Sequence, residues 1–234
     1  DTPDPNPTNQ KAIYRGEDRF DKILVYEPYL NPLGRIINDN IWTTEAITQT
    51  AGKWWIVDLD GSPTPGYGIS GPYLTLSQWL VDPVYGPVLS AGIITSIQLG
   101  IGSYNKGITT YTDNLVYTSS SGLFSYDFEA GSSTTVKVTN LNPQGWAFYE
   151  EVPTGSGAFI YGPGTPPLGS GSANLIIDDT GREMLYKDGW KGMPLADFTG
   201  LKYSTYRDGS SGSNSIVTAT LQLQVDYDCT DSDF

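Results

Sequence analysis

The chain contains no histidine and a single cysteine, Cys229, which removes much of the chemistry a protein of this size might use. Without imidazole, Ser-His-Asp and Cys-His nucleophile systems and histidine-bearing zinc sites fall away. One cysteine allows no intrachain disulfide. Its neighbours Asp228, Asp231 and Asp233 would raise a thiol pKa, which argues against a catalytic thiolate. Carboxylates are the remaining acid–base groups. A glycan hydrolase or lyase of this kind needs only two, and the candidates are Glu27, Glu129, Glu183 and the adjacent Glu150 and Glu151. None lies in a recognisable catalytic signature, so no catalytic residue is assigned.

Calcium would draw on the same hard oxygens. Asp226, Asp228, Asp231 and Asp233 follow one another at the end of a strand-like run, and Asp58 and Asp60 form a second pair. Neither fits an EF-hand loop. Asp226 and Asp228 are the weak calcium candidates, both expected on the solvent side of their strand; no metal site and no cofactor are assigned. Aromatic side chains are the other functional hint. Trp54 and Trp55 must project from opposite faces of a strand, one into the core and one outward or under a loop. With Tyr67 and Tyr73 they form a candidate sugar-binding set, near Trp42 and Trp79. The stretch Gly162 to Gly171 lacks the Lys-Ser or Lys-Thr of a phosphate cradle and no helix follows it, so it reads as a rigid inter-strand loop.

The elements that must position these residues are strands. Pro3, Pro5 and Pro7 make residues 1–19 an extended arm. Beyond Phe20, Ile23 to Tyr26 is a compact apolar run ended by Pro28. Strand-like segments then recur at short spacing: Lys53 to Leu59, Ile93 to Ile101, Thr109 to Tyr117, Leu123 to Phe128, Thr134 to Thr139, Gly145 to Glu151, Gly157 to Tyr161, Ala173 to Ile177, Leu201 to Tyr206 and Val217 to Tyr227. In the last, Leu221, Leu223 and Val225 alternate with Gln222, Gln224 and Asp226, the period of a half-buried antiparallel strand. Leu76 to Val81 is a one-turn helix candidate, capped by Thr75 or Ser77 and stopped before Pro83. The expected fold is all-β: a two-sheet antiparallel β-sandwich or jelly roll with an extended N-terminal arm. Residues 20–234 are expected to form one domain, whose halves 20–130 and 141–234 are joined by a Gly/Ser/Thr linker.

Charge restricts the partners. The formal net charge is −13, with 26 acidic against 13 basic residues. Such a polyanion is a poor ligand for nucleic acid or anionic lipid, and no apolar run is long enough to span a membrane as a helix. The chain opens at Asp1 with neither Met nor a signal-peptide pattern, which reads as a processed chain, extracellular or at the cell surface.

Several segments together resemble a family of bacterial extracellular β-sandwich domains, mostly of unassigned activity. Gln144-Gly145-Trp146, Pro153 to Phe159 and Gly162 to Ala173 are similar to its opening. Leu195 to Thr199 with Leu201 to Tyr206 are similar to its middle, and Leu24 to Tyr29, Trp42-Thr43, Trp54-Trp55, Asp113 to Leu115 and Tyr126 to Glu129 to its later part. The order differs: residues 141–228 would come first and residues 20–129 second. The resemblance therefore implies a circular permutation that puts two consecutive family strands at opposite ends of this chain.

These readings lead to three expectations. The first is a non-catalytic extracellular structural protein, whose partners are copies of itself in a head-to-tail filament built by strand exchange. The exchanged element is expected within Thr218, Leu221, Leu223, Val225 and Tyr227, or within Phe20, Ile23 and Val25, with Ile13 and Tyr14 of the arm contacting the neighbour. The second is a jelly-roll module that binds glycans through Trp54 or Trp55. The third is the carboxylate-dependent glycan hydrolase or lyase.

Overall fold

The structure, a computed structural model, describes residues 22–58, 72–101, 107–120, 122–128, 137–178, 181–210 and 217–226. It is all-β, two antiparallel sheets packed face to face. The first sheet contains β1 (Lys22–Tyr26), β3 (Lys53–Asp58), β4 (Leu74–Thr75), β5 (Ile93–Ile101), β9 (Trp146–Val152), β12 (Arg182–Pro194) and β14 (Thr220–Asp226), in the order β4-β3-β1-β14-β5-β12-β9. The second contains β2 (Trp42–Thr48), β6 (Thr109–Ser119), β10 (Gly155–Tyr161), β11 (Gly171–Ile177) and β13 (Phe198–Arg207), in the order β10-β11-β6-β13-β2. Strand β7 (Gly122–Phe128) pairs with β6, and β8 (Lys137–Val138) lies parallel to β7. Strands from both halves of the sequence share each sheet.

The core forms because inward residues of both sheets are large and apolar. Leu24, Tyr26, Trp54, Ile56, Leu221, Leu223 and Val225 meet Leu115, Tyr117, Leu175, Leu201 and Tyr203. Their rings pack edge to face, with Tyr26 against Trp54 at 5.6 Å, Tyr26 against Tyr203 at 6.4 Å and Trp54 against Phe198 at 6.4 Å between centroids. Behind the first sheet, Ile23, Val25, Leu30 and Trp55 form a second small cluster, with Tyr29 and Tyr73 packed on it. Strand β1 is thus buried on both faces.

The same is true of β14, contrary to the half-buried strand expected from its alternation. Gln222, Gln224 and Asp226 are buried along with Leu221, Leu223 and Val225. The cause is position. β14 lies between β1 and β5, and its polar row continues into Gln98 and Ser96 of β5, opposite Gln222 and Gln224. Period-2 polarity here marks a polar row within a covered sheet face, not a solvent face. Asp226, one of the two weak calcium candidates, is therefore inaccessible on its strand.

Among the described residues, two short α-helices follow β4. α1 (Leu76–Trp79) starts at Thr75, whose hydroxyl accepts from the Gln78 N–H while the Gln78 side chain accepts from the Thr75 N–H. This is a reciprocal capping box. Trp79 is buried below it and donates its indole N–H to the Trp54 carbonyl at 2.9 Å. α2 (Gly86–Ala91) follows with proline in its first turn.

The Gly162 to Gly171 stretch is the expected loop, joining β10 to β11. Gly162, Gly164 and Gly169 take positive φ of 74°, 56° and 70°, which side-chain-bearing residues resist. The loop is pinned at both ends. Trp42 donates its indole N–H to the Pro163 carbonyl at 3.0 Å, and the Leu168 N–H donates to Asp113 at 3.0 Å.

Candidate functional site

The first feature with functional content is the seam between β1 and β14. They pair antiparallel from Lys22 opposite Val225 to Tyr26 opposite Leu221. Ile23, Val25, Thr218, Leu221, Leu223 and Val225, nominated for strand exchange, are all buried, and all but Thr218 line this pair. Within the chain the two strands fill each other's edge. Phe20, Tyr227, Ile13 and Tyr14 lie outside the described residues.

At the Tyr26 end of the seam, a cavity of about 620 Å³ opens between the sheets. The loop after β1 shapes it. The side-chain amide of Asn31 donates to the Lys53 carbonyl at 3.1 Å and accepts from the Lys53 N–H at 2.7 Å, copying a strand partner just beyond β1. Gly34 (φ 78°) then turns the chain so that Arg35 reaches inward. Its guanidinium grips Glu45 of β2 with both terminal nitrogens, at 2.9 and 2.6 Å. The Tyr26 hydroxyl donates to Glu45 Oε2 at 2.7 Å. Glu45 is nearly inaccessible and needs these donors, because an unpaired buried carboxylate is strongly unfavourable. Burial, followed by the nearby Glu45, raises the Tyr26 phenol well above its usual range. Lys53, Thr50, Thr75 and Tyr73 complete the polar lining, and Leu30, Pro32 and Leu33 the apolar part.

Of the candidate sugar-binding aromatics, Trp54 and Trp55 are not a surface platform. Trp54 is fully buried in the main core. Trp55 is 7 % exposed and lies in the outer cluster, its indole N–H donating to Glu27 at 3.2 Å. Tyr73 packs on that cluster and lines the cavity; Tyr67 lies outside the described residues. The half-exposed aromatics stand elsewhere. Trp42 lies opposite Tyr206, and Tyr206 opposite Tyr111, forming a cross-strand row over β2, β13 and β6. Their centroids are 5.5 and 5.7 Å apart. Trp42 was visible in the sequence, but its neighbours come from strands far along the chain.

The nominated carboxylates are dispersed. Glu27 is held by Trp55 and Tyr29, and burial raises its pKa. Glu183 of β12 lies opposite Glu150 of β9. Glu150 accepts from the Thr154 and Gly155 N–H groups at 2.7 and 3.2 Å, bracing the β9–β10 turn. Glu183 is buried beneath that turn, and burial, then the Glu150 charge, pushes its pKa up to about 7. Glu151 belongs to β9, while Glu129, Asp228 and Cys229 lie outside the described residues. Among the described residues, no three metal-ligating side chains cluster, and no helix is long and apolar enough to cross a membrane.

Sequence reasoning missed Asp113, Arg35 and Glu45. Asp113 is fully buried in β6, accepts from the Phe128 and Leu168 N–H groups at 3.3 and 3.0 Å, and is pushed by burial up to about 7. It ties β6 to β7 and to the glycine-rich loop. No protein-family model matches the chain, and no curated protein matches its sequence.

Proposed function

We propose that the chain is a non-catalytic, extracellular structural subunit that assembles head-to-tail by exchanging a terminal strand between copies. The observation that carries this reading is the β1–β14 seam: two central strands, buried on both faces, that are sequence neighbours of nothing they pair with. Adjacent antiparallel strands are commonly joined by a short hairpin loop. Here most of the chain lies between them, so the pairing is specified by the ladder and the buried side chains rather than by a hairpin. An incoming β14 would make the same ladder with β1 and β5 and bury the same Leu221, Leu223 and Val225. Such a contact is heterologous and propagates. The resemblance to bacterial extracellular β-sandwich domains in permuted order supports the same reading, because a permutation would create this seam.

Size-exclusion chromatography with light scattering and negative-stain imaging test it. Concentration-dependent polymers of regular repeat are expected. A folded protein that stays monomeric at high concentration contradicts it.

A second reading, glycan binding, draws on the Trp42–Tyr206–Tyr111 row, with Asn40 hydrogen-bonded to the Tyr206 hydroxyl at 3.3 Å. Glycan-array binding that disappears in Trp42→Ala would support this surface, and absence of binding to any glycan would remove it.

A further inference from the structure

Strand β8 is two residues long, and among the described residues its ladder partner is β7. The two run parallel, with Asp127 opposite Lys137 and Phe128 opposite Val138. Phe128 and Val138 are fully buried in the main core, so alternation turns Asp127 and Lys137 to the other face of the pair. That face is closed as well. The Asp127 side chain is 2 % exposed and that of Lys137 10 %, with Nζ 4.0 Å from Oδ2.

As an ion pair this arrangement is poor. Two charges have left water, yet they stand at the outer limit of ion-pair distance, where attraction repays little of the desolvation. As reactants the same groups are well placed. The ladder holds the amine beside the carboxyl, so a small side-chain rotation brings Nζ within the about 3.5 Å of a near-attack contact with Cγ. Asp113 supports this placement from β6, accepting the Phe128 N–H at 3.3 Å and the Leu168 N–H at 3.0 Å. It thereby fixes the β7 backbone next to Asp127. Burial, and to a lesser degree the Asp127 charge, raises the Asp113 pKa, which marks a second buried carboxyl near the pair.

We infer that Lys137 and Asp127 condense to an intramolecular amide that joins β8 to β7. The Nζ lone pair forms the new bond to Asp127 Cγ, and one Cγ–O bond breaks. Taken as ammonium and carboxylate, the pair supplies every atom. One hydrogen stays on the amide nitrogen, and two leave with the departing oxygen as water. Charge balances, since the two ions give two neutral products, and no oxidant or co-reactant is consumed. The amide replaces two buried charges by a neutral group. It also fastens a strand that two ladder residues hold weakly, and it closes a covalent loop that restrains the unfolded chain as a disulfide does. The bond forms in a monomer and in an assembled copy alike, so strand exchange has no bearing on it.

Intact-mass spectrometry of the folded full chain tests the cross-link. The expected mass lies one water below that of the sequence. Lys137→Arg keeps the positive charge but lacks the amine nucleophile, and should show the full mass. Proteolysis of the unaltered chain should release a branched peptide that contains both Lys137 and Asp127. A folded wild-type chain at its full sequence mass overturns the inference. So does a water loss that persists in Lys137→Arg, which would belong to a cyclic imide at an Asp-Gly step such as Asp208-Gly209.

Discussion

Glu45 shows how a single buried carboxylate organises one end of the molecule. It bridges Arg35 from the loop after β1 and Tyr26 from β1 itself, so the two sheets are tied where the cavity opens. Arg35→Met leaves that carboxylate with the Tyr26 hydroxyl alone. The expected loss of stability is about 3 kcal/mol, readable by urea unfolding, whereas Glu45→Gln should cost less because the charge it strands, on Arg35, is partly solvated while the Glu45 carboxylate is not. With Glu27, whose pKa burial also raises, Asp113 and Glu183 contribute to the pH response. Burial raises both, from 3.8 and 4.5 to about 7, so the folded state holds more protons than the unfolded state in that window. Their contribution to stability is present in full below about pH 4 and is lost as pH rises through about 7. Glu183→Gln should flatten that decline and raise the melting temperature at about pH 8; an unchanged pH profile would show that Glu183 titrates normally. Of these groups only Glu27 and Glu183 were nominated from the sequence, among five carboxylate candidates with no feature to single them out. Their partners lie in loops or on distant strands, and periodicity carries no information about which acid a fold will enclose.

Strands were largely legible because alternation and turn residues mark them. Ile93–Ile101 matches its expected limits, and β3, β6, β7, β11 and β13 match within a few residues. The helix start was legible as Thr75 or Ser77, and the structure selects Thr75, whose hydroxyl three residues before Gln78 satisfies a first-turn N–H. Thr75→Ala should destabilise the fold by about 1 kcal/mol in thermal unfolding. Other elements were not legible. Trp42–Thr48 mixes polar and apolar residues at a sheet edge, and Gly86–Ala91 opens with Gly-Pro, which reads as a turn. The polarity of β14 was misleading for a reason specific to its neighbours. Gln98 and Ser96 continue its polar row across the sheet, so buried glutamines imitate a solvent face. Leu223→Ala, on the opposite face, should cost about 3 kcal/mol in urea unfolding; a loss under about 1 kcal/mol would show that β14 is loosely held.

For the whole molecule, the informative fact is where the first and last described strands enter the sheet. β1 and β14 fill the centre of one sheet, yet the rest of the fold lies between them in sequence. The two-sheet sandwich was readable from the sequence, and the meeting of these strands within one chain required the structure. The structure closes the seam within one chain, the proposed assembly closes it on another copy, and Val25 opposite Gln222 distinguishes the two directly. Antiparallel register neighbours lie about 4.5–5.5 Å apart at Cα, within disulfide range. With Cys229 replaced by Ser, a Val25→Cys/Gln222→Cys chain oxidised after assembly should run as a ladder of covalent multimers on a non-reducing gel. A single intrachain-linked monomer from fully assembled material would contradict strand exchange.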